Sequence, residues 1–263
     1  MTQKAKEWSP KAKARLAGVF EALEGFTSTF GQVNVLGKVI VVGNAAATAA
    51  NILKHETLFR LGFASSLLGV VFHLAWAFLF YHLFKPVNRS VSLCALLVIL
   101  VGCTIQAITA LFYLAPLLVL TAGTSLSALT QEQVQALAYM FLKVNGLAMD
   151  TNLVFFGLWC VLTGYLIFKS TFLPRILGVL LAIDGLGWMM FMWPPLGHYL
   201  FLPIAIACGL AEIPLQLWLL IFGVNNERWK AQAEGIQQAG SDHADAAGAE
   251  APKRVAVRLP LFL

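Results

Sequence analysis

The chain alternates between long apolar runs and short polar breaks. A helix needs about 20 mostly apolar residues to cross a bilayer. Runs at 61–84, 91–114, about 147–168, about 176–193 and about 199–224 meet that length. A sixth run, 16 to about 35, is interrupted by Glu21 and Glu24. We read it as a further span, the alternative being an amphipathic helix lying on the membrane. The pattern predicts an all-α polytopic bundle of about six transmembrane helices.

Two connections are too long to be simple turns. In "NAAATAANILKHE" Asn44 is a good N-cap for an alanine-rich helix. In "TQEQVQALAYMFLKVNG" Thr130 and Gln133 form a capping-box pattern, and Val134, Leu137, Ala138 and Phe141 recur at helical spacing. Both stretches read as short helices capping the outer end of the bundle. The expected organisation is a basic cytoplasmic tail (1–14), a six-span membrane domain (15–224) and a cytoplasmic tail (225–263). The tail is expected to be largely disordered, being rich in Ala, Gly and Gln over 231–254.

Composition strengthens the membrane reading. Hydrophobic residues make up 59% of the chain and charged residues 12%, with a mean hydropathy of +0.77. Soluble domains carry about 25% charged residues, so this chain lacks the polar surface a water-soluble globule requires. The net charge of +5 does not point to nucleic acid. Its Lys and Arg residues lie at the ends of apolar runs, where topology explains them. Lys4, Lys6, Lys11, Lys13 and Arg15 precede the first span. Lys85 and Arg89, then Lys169 and Arg175, flank later breaks on the same side, and Arg228 and Lys230 follow the last span. The opposite breaks are poorer in cations, apart from Lys38, Lys54 and Arg60 in the first. The alternation places both termini in the cytoplasm of a bacterial inner membrane. The N-terminus lacks the short apolar core of a cleaved signal peptide. Cys94, Cys103, Cys160 and Cys208 all fall in apolar runs without a C-x-x-C pair and are expected to be free thiols.

"GNAAATAANI", "LFRLGFASSLLG", "KPVNRSVSL", "NLVFFGLWCVLTGYLIFKS", "FLPRILGVLLA" and "AEIPLQLWLLIFGVNNERW" occur in this order. Together they resemble the bacterial membrane proteins grouped as domain of unknown function 4386, over roughly residues 15–229. The resemblance implies a multi-helix membrane domain and no particular reaction. One departure is the pair Glu21 and Glu24, in a span that is usually plainly apolar in the family.

Ionisable residues inside spans are the candidates for chemistry, because each costs about 2.5–3.5 kcal/mol on insertion scales. Asp184 in "AIDGLG" and Glu212 in "GLAEIPLQLW" lie near mid-depth, and Gln216 follows Glu212 on the same helical face. Consecutive spans pack antiparallel. On straight helices the two acids differ in depth by about one turn, too far for a direct shared proton. A kink at Pro203 or a bridging group such as Gln106 would close that gap. Arg60 and Asp150 are expected at matching outer depth, as an ion pair able to grip an anionic group, with Asn145 and Asn152 in the same layer. His73, His82 and His198 are not placed to share a metal. The blander expectation for each polar residue is a hydrogen bond between helices or, for Arg60, a snorkelling side chain.

"RLAGVFEALEGF" also echoes "RILGVLLAIDGLG": Arg15, Gly18, Glu24 and Gly25 align with Arg175, Gly178, Asp184 and Gly185. No metalloprotease, P-loop, nucleophile-elbow or dinucleotide-binding pattern is present, so no catalytic residue, metal or cofactor is expected. The expected partners are the lipid bilayer and a small-molecule or lipid ligand. The functional expectation is a membrane protein that binds or transports a small or lipid-like molecule, using Arg60, Asp150, Asn152, Asp184, Glu212 and Gln216. The alternative is a non-catalytic accessory or signalling subunit. A polar cavity reaching Asp184 or Glu212 would favour the first, and a dry interior with every acid paired would favour the second.

Overall fold

The computed structural model describes residues 8–235 and 238. The described residues form helices and no strand. In order these are α1 (Pro10–Ser28), a π-helical segment (Thr29–Val35) that continues it, α2 (Leu36–Val39), α3 (Ala45–Lys54), α4 (Glu56–Phe84) and α5 (Arg89–Leu120). They are followed by α6 (Gln131–Lys169), α7 (Arg175–Met189), α8 (Pro194–Tyr199) and α9 (Phe201–Ile221). A further helix covers 226–235. The runs Glu56–Phe84, Arg89–Leu120, Gln131–Lys169, Arg175–Met192 and Phe201–Ile221 are long and apolar enough to cross a membrane.

α1 is the less apolar case, and packing assigns its depth. Arg15 donates to the Ile221 carbonyl at the C-terminal end of α9, at 2.7 Å. Phe20 stacks on Phe72 of α4, and Ser65 of α4 donates to the Thr27 carbonyl at 2.9 Å. Gly31 lies against Gly62. From Arg15 to Gly31 the helix therefore runs antiparallel to two spans and shares their depth.

The long helices form a ring in chain order. α1 packs on α4, α4 on α5, α5 on α6, α6 on α7 and α7 on α9, and α9 returns to α1. Leu61, Leu97, Leu111, Leu147, Ile183, Leu210 and Leu217 stay exposed around the outside. In water this would be an aggregating surface, whereas in a bilayer it is the lipid-facing one. Inside, Trp76 of α4 meets Trp159 of α6 with ring centroids 4.5 Å apart.

Without a hydrophobic force between helices in lipid, close backbone approach is the main means of association. The α6–α7 seam shows it. A methyl group at Gly157 would sit 2.5 Å from the Gly185 carbonyl oxygen, and one at Gly164 would sit 2.6 Å from that of Gly178. Each pair is spaced by seven residues, two turns on one face of its helix.

One expectation holds here and two change. α3 is capped by Asn44, whose side chain accepts from Ala47. The second cap helix, however, is not separate. Its capping box is present, but α6 runs unbroken through Asn145 and Gly146 to Lys169. Nothing in "KVNGLAMD" stops it, since Gly146 does not take the positive φ of a helix C-cap. Residues 231–235, expected in the disordered tail, extend a helix anchored by Trp229, which donates to the Leu83 carbonyl at 2.8 Å. Apart from 238, the rest of that tail lies outside the described residues, as do residues 1–7.

Candidate functional site

Acids from α1, α7 and α9 converge inside the ring. Glu21, Glu24 and Ser28 share one face of α1. Ser28 donates to Glu24 Oε1 at 2.8 Å, and Gln106 of α5 donates to Ser28 Oγ at 3.3 Å and to Glu24 Oε1 at 3.5 Å. His73 Nδ1 of α4 stands 3.8 Å from the same Glu24 oxygen. This polar network ties together α1, α4 and α5.

The second set lies between α6, α7 and α9. One ligand atom from each of Cys160, Asp184 and Glu212 lies within 4.8 Å of the other two. Cys160 and Asp184 are 0% exposed. A thiol with two carboxylates is a donor set suited to zinc-like divalent ions. Glu212, Cys160 and Trp188 stand beside Asp184, yet both Asp184 oxygens, Oε1 of Glu212 and Oε2 of Glu21 fall outside strict hydrogen-bonding geometry. So does Trp188 Nε1, one turn from Asp184. Buried polar groups are nearly always hydrogen-bonded, so a concentration of orphans marks this region apart from the rest of the core.

A cavity of about 260 Å³ opens beside these acids. Glu21, Glu24, Glu212 and Gln216 line it together with Trp76, Phe156 and Trp159. Its rim is formed by Gly25, Phe26 and Ile213, and the last two are 71% and 55% exposed on the outer face of the ring. The opening arises because α1 and α9 diverge. A methyl group at Gly18 would meet Leu219 and Leu220 at 3.1–3.2 Å, whereas one at Gly25 would meet nothing within 4 Å. The echoed glycines of α7 are both closely packed, so the two halves of the echo serve opposite ends.

A second crevice, about 660 Å³, lies toward the α8 end and is mainly apolar, with Leu142, Met149, Leu153, Trp188 and Phe191 in its wall. Asp150 and His198 meet in it at 3.0 Å.

The sequence-derived candidates thus divide. Asp184, Glu212 and Gln216 belong to the acid region and its cavity. Asn152 is buried with Oδ1 unpartnered, facing Gly102 of α5. The Arg60–Asp150 pair does not form. Arg60 bonds Glu56 one turn earlier, at 2.8 Å on the exposed surface, and a local i,i+4 partner costs less ordering than one on another helix. Asp150 takes His198 instead. Asn145 donates to the Thr109 carbonyl of α5 at 3.0 Å, so the expected polar layer is not one layer.

Asp184 and Glu212 keep an offset of about one turn and nevertheless approach each other. Measured from the observed ends, Asp184 precedes Met192 by eight residues and Glu212 follows Phe201 by eleven. The offset is three residues, roughly 4.5 Å. Side chains tilt toward the N-terminus of their helix, so on antiparallel helices these two tilt toward each other. No kink at Pro203 is needed, since that residue lies in the first turn of α9, where a proline is tolerated. Gln106 serves Glu24 rather than this pair. Sequence reasoning left Glu21 and Glu24 without a role, and it gave His73 only helix-pairing hydrogen bonds. The polar spacing 21, 24, 28 was the available signal for the acids.

Residues 16–223 match the family model described as domain of unknown function DUF4386. The chain belongs to this family. No curated protein and no solved structure matches it. The matched region runs from the first turns of α1 past the end of α9. Glu21, Glu24, Asp184, Glu212 and the cavity between them all lie within the DUF4386 domain.

Proposed function

We propose that this multi-pass membrane protein binds a small or lipid-like molecule in the cavity beside Glu212 and carries it in a bacterial inner membrane, with both termini cytoplasmic. The carrying observation is a cavity lined by Glu21, Glu24 and Glu212, beside which buried carboxyl oxygens of Glu21, Glu212 and Asp184 make no hydrogen bond. A packed structural core would pair such groups. Sites in transporters lie near the bilayer midplane between helices, and Glu212 lies near the middle of α9 (Phe201–Ile221). The gap at Gly25 gives entry from the lipid side.

The accessory-subunit reading has one observation in its favour. The Glu24–Ser28–Gln106 set is hydrogen-bonded within itself and joins two helices. Alkylation separates the readings. In Gly25→Cys, an introduced thiol at the cavity rim is expected to react with N-ethylmaleimide in membranes, while buried Cys160 stays unmodified in the same sample. An introduced thiol as inert as Cys160 would refute an accessible cavity and favour the accessory role.

A further inference from the structure

Three carboxyl groups line one 260 Å³ cavity: Glu21, Glu24 and Glu212. Among the described residues no Lys or Arg lines it, and His73 stands 3.8 Å from Glu24. Asp184, 0% exposed, adds a fourth acid beside Glu212 and Cys160. Ionised carboxylates this close together repel one another and are poorly solvated in a low-dielectric interior. They therefore carry charge together only when a cation joins them.

The aromatic part of the lining selects the kind of cation. Trp76, Phe156 and Trp159 all line the cavity and pack together, with Phe156 stacked on Trp159 at 5.9 Å and Trp76 tilted on Trp159 at 4.5 Å. Aromatic faces attract ammonium groups, most strongly where water is excluded. A bare metal ion would make no use of such a wall, and a neutral lipid tail would leave the carboxyl oxygens unpaired. The rim at Phe26 and Ile213 is apolar and faces outward, which suits a ligand with an apolar arm.

From the acids, the aromatic wall and the lipid-side rim we infer that the cavity binds a small amphiphilic organic cation, an ammonium group carrying an apolar substituent. Glu212 and Glu21 hold the charge, the Trp76–Phe156–Trp159 cluster lies beside it, and the apolar arm lies toward Phe26. This deepens the proposed function and rests on it.

The test uses benzyltrimethylammonium and its uncharged isostere neopentylbenzene, titrated calorimetrically into the full-length protein in nanodiscs. The two probes have the same shape, so their difference reads charge alone. Wild-type protein is expected to bind the cation at least about tenfold more tightly than the isostere, the equivalent of about 1.4 kcal/mol. Glu212→Gln and, independently, Glu21→Gln are expected to erase that preference while leaving isostere binding in place, which also shows that the variants are folded. Glu56→Gln, on the exposed surface away from the cavity, is expected to keep it. Equal or tighter binding of the isostere would overturn the cationic ligand class while leaving a ligand cavity standing. Binding of neither probe would also overturn it, and the Gly25→Cys alkylation would then judge the cavity by itself.

Discussion

Glu24 shows what a single polar residue does in this interior. Its Oε1 accepts from Ser28 and Gln106, and His73 lies beside it. Hydrogen bonds to a charged group contribute about 1.5–3 kcal/mol and neutral ones about 0.5–1.5. Ser28→Ala removes the shorter contact and is expected to lower stability by about 1 kcal/mol, read as a drop in thermal midpoint in detergent. Glu56→Ala should behave differently. Its bond to Arg60 lies on the surface with side chains 42% and 53% exposed, and exposed pairs contribute about 0–1 kcal/mol. The same melt should barely move. A large loss there would show that Arg60 has a second role that the Arg60–Glu56 contact does not account for.

Among the elements, the α6–α7 pair depends on glycine. Gly157 opposes Gly185 and Gly164 opposes Gly178, backbone against backbone. A valine at Gly157 has no room, and overpacking of this kind costs about 1–3 kcal/mol. Gly157→Val is expected to lower the melting temperature sharply and broaden the size-exclusion peak. Gly25→Ala is the contrasting change. It faces the cavity with no neighbour within 4 Å, and glycine in a helix costs roughly 0.5–1 kcal/mol relative to alanine. The variant should be slightly more stable than wild type, and a loss of stability would mean that α1 and α9 close over the cavity. At the far end of α6, Thr130→Ala removes a cap worth about 1 kcal/mol. Faster amide exchange should follow in the first turns of α6 alone.

For the molecule as a whole, the even number of long helices in the ring makes orientation testable. Reporter fusions at Lys4 and after Trp229 are expected to report the same compartment, the cytoplasm, as the Lys and Arg distribution requires. Reports from opposite compartments would mean that one member of the ring does not cross, and α1, with Glu21 and Glu24, is the first suspect.

The sequence by itself determined the solvent and the class of fold. Runs of about 20 apolar residues have few ways to satisfy their backbone in lipid, so length and hydropathy lead directly to helices. It also determined local devices, since Asn44 and the Thr130–Gln133 box need only their own neighbours in the chain. Asp184 and Glu212 were legible as candidates because a charge in such a run is costly. Which groups meet was decided by the tertiary structure. Arg60 turned to Glu56, Asp150 to His198, and Asp184 to Glu212, because pairing depends on helix rotation and axial offset, which hydropathy does not encode. The cavity has the same origin. The glycines of "RLAGVFEALEGF" and "RILGVLLAIDGLG" match in sequence, yet Gly185 is sealed against Gly157 and Gly25 stands open, because the partner helix follows α7 closely and diverges from α1.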